Sequence, residues 1–205
     1  MRRRPLLLAV LVLTATAGCG TGSGTTSETT PVTVSWPAPP DPMRLTLEAG
    51  LTPERRETLL HHVHSHLDVF VDGNPVTVPA GIGINTKDPG VKHGTNPVAY
   101  GGIELCARPC ISPLHTHDET GILHTESATP EPNTLGQFFT EWNVRLTRSC
   151  VDGYCRPKMP VSISVDGKRF TGDPRSIPLT DLKEIAIVIG KPPAEIPKEY
   201  DFSNA

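Results

Sequence analysis

Six of the chain's eight histidines fall in two short segments, His62-Val63-His64-Ser65-His66 and Leu114-His115-Thr116-His117-Asp118-Glu119-Thr120-Gly121-Ile122-Leu123-His124-Thr125-Glu126. The chemistry that this points to is metal binding, since neutral imidazole nitrogens hold Zn or Cu(II) at about 2.0–2.1 Å. Three to six convergent rings would make a strong site. Asp68, Asp118, Glu119 and Glu126 lie close by in the sequence, and each could accept the far ring N–H of a ligating histidine and so fix its tautomer. The alternative is that each segment is a solvated polar strand face, with His117 and Asp118 sharing a local hydrogen bond. His61 and His93 read as ordinary surface residues.

Rings converge only if the backbone aims them. From His62 to Val71 the sequence alternates with period two: Val63, Ser65, Leu67, Val69 and Val71 on one face, His62, His64, His66, Asp68 and Phe70 on the other. That is the pattern of a half-buried strand, whose alternate residues lie about 6.8 Å apart and project the same way. In the second segment Asp118 to Gly121 is a turn candidate, with Gly121 able to take a positive φ. A four-residue loop there sets His117 opposite Ile122 and His115 opposite His124, with all three imidazoles on one face. A three-residue loop of 119–121 would pair His117 with Leu123 and send His124 to the opposite face. Rings spaced about 6.8 Å along one strand are hard to bring onto a single four-coordinate ion. The expectation is therefore that the first strand lies against the second hairpin.

The supporting elements can be read more coarsely. Thr52-Pro53-Glu54 carries helix-start signals and predicts a helix to about Leu60 or His61. Asp72-Gly73-Asn74-Pro75 is a turn, and Val76 to Val78 and Ile82 to Ile84 are expected strands of a meander. Thr134 and Gln137 form a capping box ahead of Leu135, Phe138, Phe139 and Trp142, whose spacing is that of a packed helix face. Ile185 to Ile189 is a continuous apolar run fit for a buried strand. Ile163-Ser164-Val165-Asp166-Gly167 echoes Val69-Phe70-Val71-Asp72-Gly73, either a remote duplication or the shared ending of two hairpins. With Pro at 22 and Gly at 18 of 205 residues and aromatics at 5%, strands and turns are favoured over long helices. The expected fold is all-β, a sandwich or partly open barrel with one or two short helices, spanning residues 43–205.

Cys106, Cys110, Cys150 and Cys155 form an even set. In an oxidising compartment disulfides are the default, and a four-thiolate zinc site is the alternative. Asp152-Gly153 occupies the place of a two-residue hairpin turn, which pairs Val151 with Tyr154 and makes Cys150 and Cys155 the next opposed pair, about 4.5 Å apart at Cα. A disulfide accepts that distance. Cys106–Cys110 follows by elimination.

Named metal motifs fit poorly. Cupins need a Glu a few residues past H-x-H, where this chain has Gly121 and Ile122; no Met follows Cys110 and His115 as a blue-copper site would need. The H-x-H-x-D-H run of dinuclear hydrolases is not matched either. The motifs His62-x-His64-x-His66-Leu67, Leu114-His115-Thr116-His117-Asp118-x-Thr120-Gly121-Ile122-x-His124-x-Glu126 and Thr134-Leu135-Gly136-Gln137-Phe138-Phe139-x-x-Trp142 together resemble a group of uncharacterised exported domains of bacteria and archaea. The resemblance covers most of residues 60–202 and implies one domain of one kind.

Met1-Arg2-Arg3-Arg4 precedes an apolar run from Leu6 to Leu13 and then small residues up to Cys19. That is a secretory signal, its apolar stretch too short for the roughly 20 residues of a membrane span. Arg3-Arg4 also loosely resembles a twin-arginine signal. Thr16-Ala17-Gly18-Cys19 resembles a bacterial lipobox, in which the thiol is acylated after residues 1–18 are removed. Residues 19–42, rich in Ser, Thr, Gly and then Pro, read as a tether. Residues 1–18 hold three Arg and no acid, so their removal takes the formal charge from -3 to -6. Without a basic excess or a Lys/Arg cluster among aromatics, nucleic acid is not an expected partner. The expected function is a membrane-tethered extracytoplasmic module binding Zn or Cu(II) through His62, His64, His66, His115, His117 and His124. A metal-dependent enzyme and a metal-free envelope domain are the alternatives.

Overall fold

The alternating segment forms the longest strand, β1 (His61–Val71), and the sheet is arranged around it. The computed structural model describes residues 34–95 and 98–204. Asp72 and Gly73, both at positive φ, turn the chain from β1 into β2 (Asn74–Val76). A small hairpin follows, β3 (Lys92–Thr95) and β4 (Val98–Gly101), and then β5 (Leu114–His115) and β6 (Ile122–Ser127). A second small hairpin, β7 (Cys150–Val151) and β8 (Tyr154–Cys155), precedes β9 (Val161–Val165), β10 (Lys168–Phe170) and β11 (Lys183–Ile189). The main sheet runs β10-β9-β11-β1-β6-β5, with β2 also on β1. It is open, not closed into a barrel. β11 lies parallel to β1, and the other pairings in the main sheet are antiparallel.

The period-two pattern does what it predicts. Leu67, Val69 and Val71 share a buried face with Ile185, Ile187 and Ile189 of β11, Ile163 of β9 and Leu123 of β6. Against that core packs α2, and before it in the chain comes α1; the helices are α1 (Pro42–Glu48) and α2 (Leu135–Glu141). The Thr134 hydroxyl accepts from the Gln137 N–H while the Gln137 side chain accepts from the Thr134 N–H. This cap fixes the helix so that Phe138, Phe139 and Trp142 are buried in the core, each such side chain contributing about 1.5–3 kcal/mol through burial. No helix among the described residues is long and apolar enough to cross a membrane.

Both expected disulfides form. Val151 pairs with Tyr154 and Cys150 with Cys155, at a Cα separation of 4.2 Å. Cys106–Cys110 lies buried in a second, smaller core with Ile84, Val91, Ile103 and Ile111.

Three local expectations are corrected. Residues 52–60 form no helix: Glu54 bridges to Ile111, and the Arg55 carbonyl accepts from the Cys106 N–H. The segment had start signals but no apolar stripe to bury, and Leu59 and Leu60 remain exposed. Ile82 to Ile84 contributes only an isolated bridge, from Ile84 to Ile111. The part of the expected tether nearest the domain also packs: Val34, Trp36 and Ala38 lie against the core, and Trp142 Nε1–H donates to the Trp36 carbonyl at 2.8 Å.

Candidate metal centre

The even-numbered residues of β1 face away from the hydrophobic core. Register with β6 sets His64 opposite His124 and His62 opposite Glu126, and register of β5 with β6 sets His115 opposite His124. Of the two pairings expected from a four-residue loop, His115 with His124 is adopted; β5 ends at His115, so His117 lies in the loop and does not pair with Ile122. The two histidine clusters meet across three adjacent strands. His124 is the hub: its ring centroid lies 4.5 Å from those of His64 and His117, 5.5 Å from His115 and 6.1 Å from His62.

Two glycines hold this geometry. Gly121 has φ +88°, and a Cβ there would lie 2.8 Å from the Leu67 carbonyl oxygen and 2.9 Å from His66 Nε2. Its own carbonyl accepts from the Leu67 N–H at 3.0 Å, which ties the turn to β1. At Gly83 a Cβ would lie 2.4 Å from the Leu114 carbonyl oxygen, so only glycine lets that loop press against β5.

Hydrogen bonds fix the tautomers of two rings. His115 Nδ1–H donates to the Ser112 carbonyl at 2.9 Å, and His117 Nδ1–H donates to the Tyr100 carbonyl. When both rings are neutral, as metal binding requires, both Nε2 atoms carry lone pairs, and these face each other at 3.1 Å. Two acceptors cannot bond each other at that distance. A tetrahedral ion with bonds of about 2.0–2.1 Å separates its ligand nitrogens by about 3.3 Å, so a cation between them resolves the repulsion. Glu126 Oε1 lies 3.2 Å from His62 Nε2, 3.8 Å from His124 Nδ1 and 3.9 Å from His115 Nε2.

The cluster also contains buried polar atoms without partners: His64 Nε2, His124 Nδ1 and Glu126 Oε2. Such atoms are rare in folded proteins, and each calls for an explanation such as a ligand or ion. Burial, followed by the neighbouring His117 for His115 and His115 for His124, holds both rings well below the ordinary histidine range. Burial, followed by His62, lowers His64 as well. All three are neutral at neutral pH, the form that ligates. Burial, and then Glu57, pushes Glu126 up to about 7. These side chains form two overlapping groups able to hold a metal ion, His115-His117-His124-Glu126 and His62-His64-His124, within each of which the donor atoms lie within 4.8 Å of one another. No family model, curated protein or solved structure matches this chain.

His66 stands apart from its expected partners. Its Nδ1 lies 2.7 Å from Glu184 Oε2 and its Nε2–H donates to the Thr120 carbonyl at 2.9 Å, while its ring stacks on Tyr200 at 3.8 Å. Burial opposes the charged form, but the Glu184 hydrogen bond and charge and the Thr120 carbonyl outweigh it and raise the His66 pKa. With both nitrogens engaged, His66 is paired with Glu184, and Asp68 lies 3.8 Å away; the donor atoms of these three are also close enough to hold an ion, in a group separate from the His64–His124 cluster.

The other carboxylates divide. Glu126 lies among the rings as a donor in its own right. Asp118 instead caps its own turn, accepting from the Thr120 N–H at 2.9 Å, and Glu119 is exposed. Cys19 lies outside the described residues. Glu57, 3.8 Å from His117 Nε2, was missed because its segment read as helix. The Ser112 and Tyr100 carbonyls leave no trace in side-chain identity, and Glu184 showed only as one acid at the start of a buried apolar strand.

Proposed function

We propose that this protein is a membrane-tethered extracytoplasmic lipoprotein that binds a divalent ion, Zn or Cu(II), and serves in metal handling or sensing. The observation that carries the reading is the pair of opposed Nε2 lone pairs on His115 and His117, 3.1 Å apart with both Nδ1 atoms committed to backbone carbonyls. His124 and Glu126 complete an N3O donor set around them, the kind of shell that Zn and Cu(II) accept. His115, His124 and Glu126 stand on paired strands and His117 is held by its bond to the Tyr100 carbonyl, so little ordering cost opposes binding. The lipobox-like Thr16-Ala17-Gly18-Cys19 and two disulfides support an exported, anchored protein, and two acyl chains suffice for stable attachment.

The test is equilibrium dialysis of the full chain, purified without a histidine tag, against Zn and Cu(II), followed by elemental analysis. At least one tightly held ion per chain is expected, and its loss on joint His115→Ala and His117→Ala substitution. Metal content no higher than that of a histidine-poor control protein overturns the assignment. The anchor is tested separately: Cys19→Ala should release the protein from membranes, and unchanged membrane association excludes lipidation.

A further inference from the structure

We infer that the histidine face holds two divalent ions, with His124 as the ligand they share; this rests on the metal-binding reading above and extends it to stoichiometry. The face offers six donors, His62, His64, His115, His117, His124 and Glu126, but they resolve into two groups whose only common member is His124. A four-coordinate ion is completed by the first group alone, His115, His117, His124 and Glu126. That leaves His64 Nε2 buried and without a partner, next to His62 at a ring separation of 4.6 Å. One ion therefore accounts for only part of the orphaned donor set. A second ion on His62 and His64 satisfies the rest.

The position of His124 makes it the bridge. Its Nδ1 lies 3.8 Å from Glu126 Oε1, and once that nitrogen serves the ion on the first group, Nε2 is the donor that remains for the second. Its ring stands nearly perpendicular to that of His64, at 77°, and to that of His117, at 81°, each 4.5 Å away. A neutral imidazole has one lone pair in the ring plane. To serve two ions it gives up its remaining N–H, the proton passing to buffer, and the resulting imidazolate binds one cation through each nitrogen. The two positive charges stabilise the anion, and no redox change is involved.

The metal alone is the probe. Equilibrium dialysis of the untagged full chain against Zn should plateau at two ions per chain. Joint His62→Ala and His64→Ala substitution should bring the plateau to one, with the wild-type circular dichroism spectrum retained. A wild-type plateau at one ion overturns the second site and leaves the single-ion reading standing, whereas a plateau at zero overturns both. Sharing of His124 is read independently on the wild-type chain loaded with Cu(II). An imidazolate bridge couples the two spins, so the integrated paramagnetic resonance signal should fall well below the copper content and recover in His124→Ala. A signal equal to the copper content in wild type overturns the bridge.

Discussion

His64 and His66 stand two residues apart on β1 and face the same side of the sheet, yet their ring nitrogens are treated in opposite ways. His66 is saturated by Glu184, by the Thr120 carbonyl and by the Tyr200 ring. His64 has a buried Nε2 with no partner, and so do its neighbours His124, at Nδ1, and Glu126, at Oε2. The difference separates a histidine that holds the fold together from histidines that the fold holds open. Sequence alternation cannot make that distinction, because it assigns a face and leaves the neighbours across the sheet unspecified.

The largest effect that could break this comparison is on stability without metal. His66→Ala leaves the Glu184 carboxylate buried and alone, a change that typically costs about 3–5 kcal/mol. His64→Ala removes an unsatisfied buried nitrogen and should shift urea-unfolding free energy by less than about 1 kcal/mol. Equal losses at the two positions would erase the distinction. Next in size is the response to metal. Zinc at one hundred times its Kd should stabilise the wild type by about 2.7 kcal/mol. His66→Ala should keep that gain, and the His115→Ala/His117→Ala pair should lose it; loss of the gain in His66→Ala would move His66 into the ligand set.

A smaller effect contrasts two buried acids. Burial pushes Glu141 up to about 8, against weaker lowering by its hydrogen bonds to Ser112 and Thr46. A folded-state pKa above the unfolded one means that the native state keeps a proton the unfolded chain has released, so stability falls as pH rises from about 4.5 to about 8. Glu141→Gln should flatten that slope with or without zinc. Glu126, raised to about 7, should add to the slope only without zinc, because a bound cation favours its carboxylate. Urea midpoints across this range with and without zinc would test both, and a slope from Glu141 that vanished on zinc loading would contradict the assignment. The smallest effect is that of Glu119→Ala, which should stay within about 0.5 kcal/mol and leave metal stoichiometry unchanged.

What the sequence revealed was local. The β1 faces, the His115–His124 register, the Thr134 capping box and the Cys150–Cys155 bridge each depend on a few adjacent residues, and each stands as expected. Tertiary contacts decided the remainder. The segment after Thr52 has a helix's opening residues but becomes an extended strap on the Cys106–Cys110 loop, because its leucines have no core to enter. Pro42–Glu48 is a helix that starts on the last residue of the expected tether and is anchored by the buried Leu45. The partner of His66 arrives from 118 residues away along the chain, and no local pattern announces it.

That separation also sets an order of assembly. β1 is the strand beside which both β6 and β11 must dock, and β6 is synthesised well before β11. Until the last strand arrives, β1 carries an unpaired edge beside exposed Leu67, Val69 and Val71, the sort of edge that recruits foreign strands. Pairing so distant in sequence is intrinsically slow. The histidine face, built from β1, β5, β6 and the loop that carries His117, needs no residue of β11, so a nascent chain can gather its imidazoles before the centre of its sheet is closed.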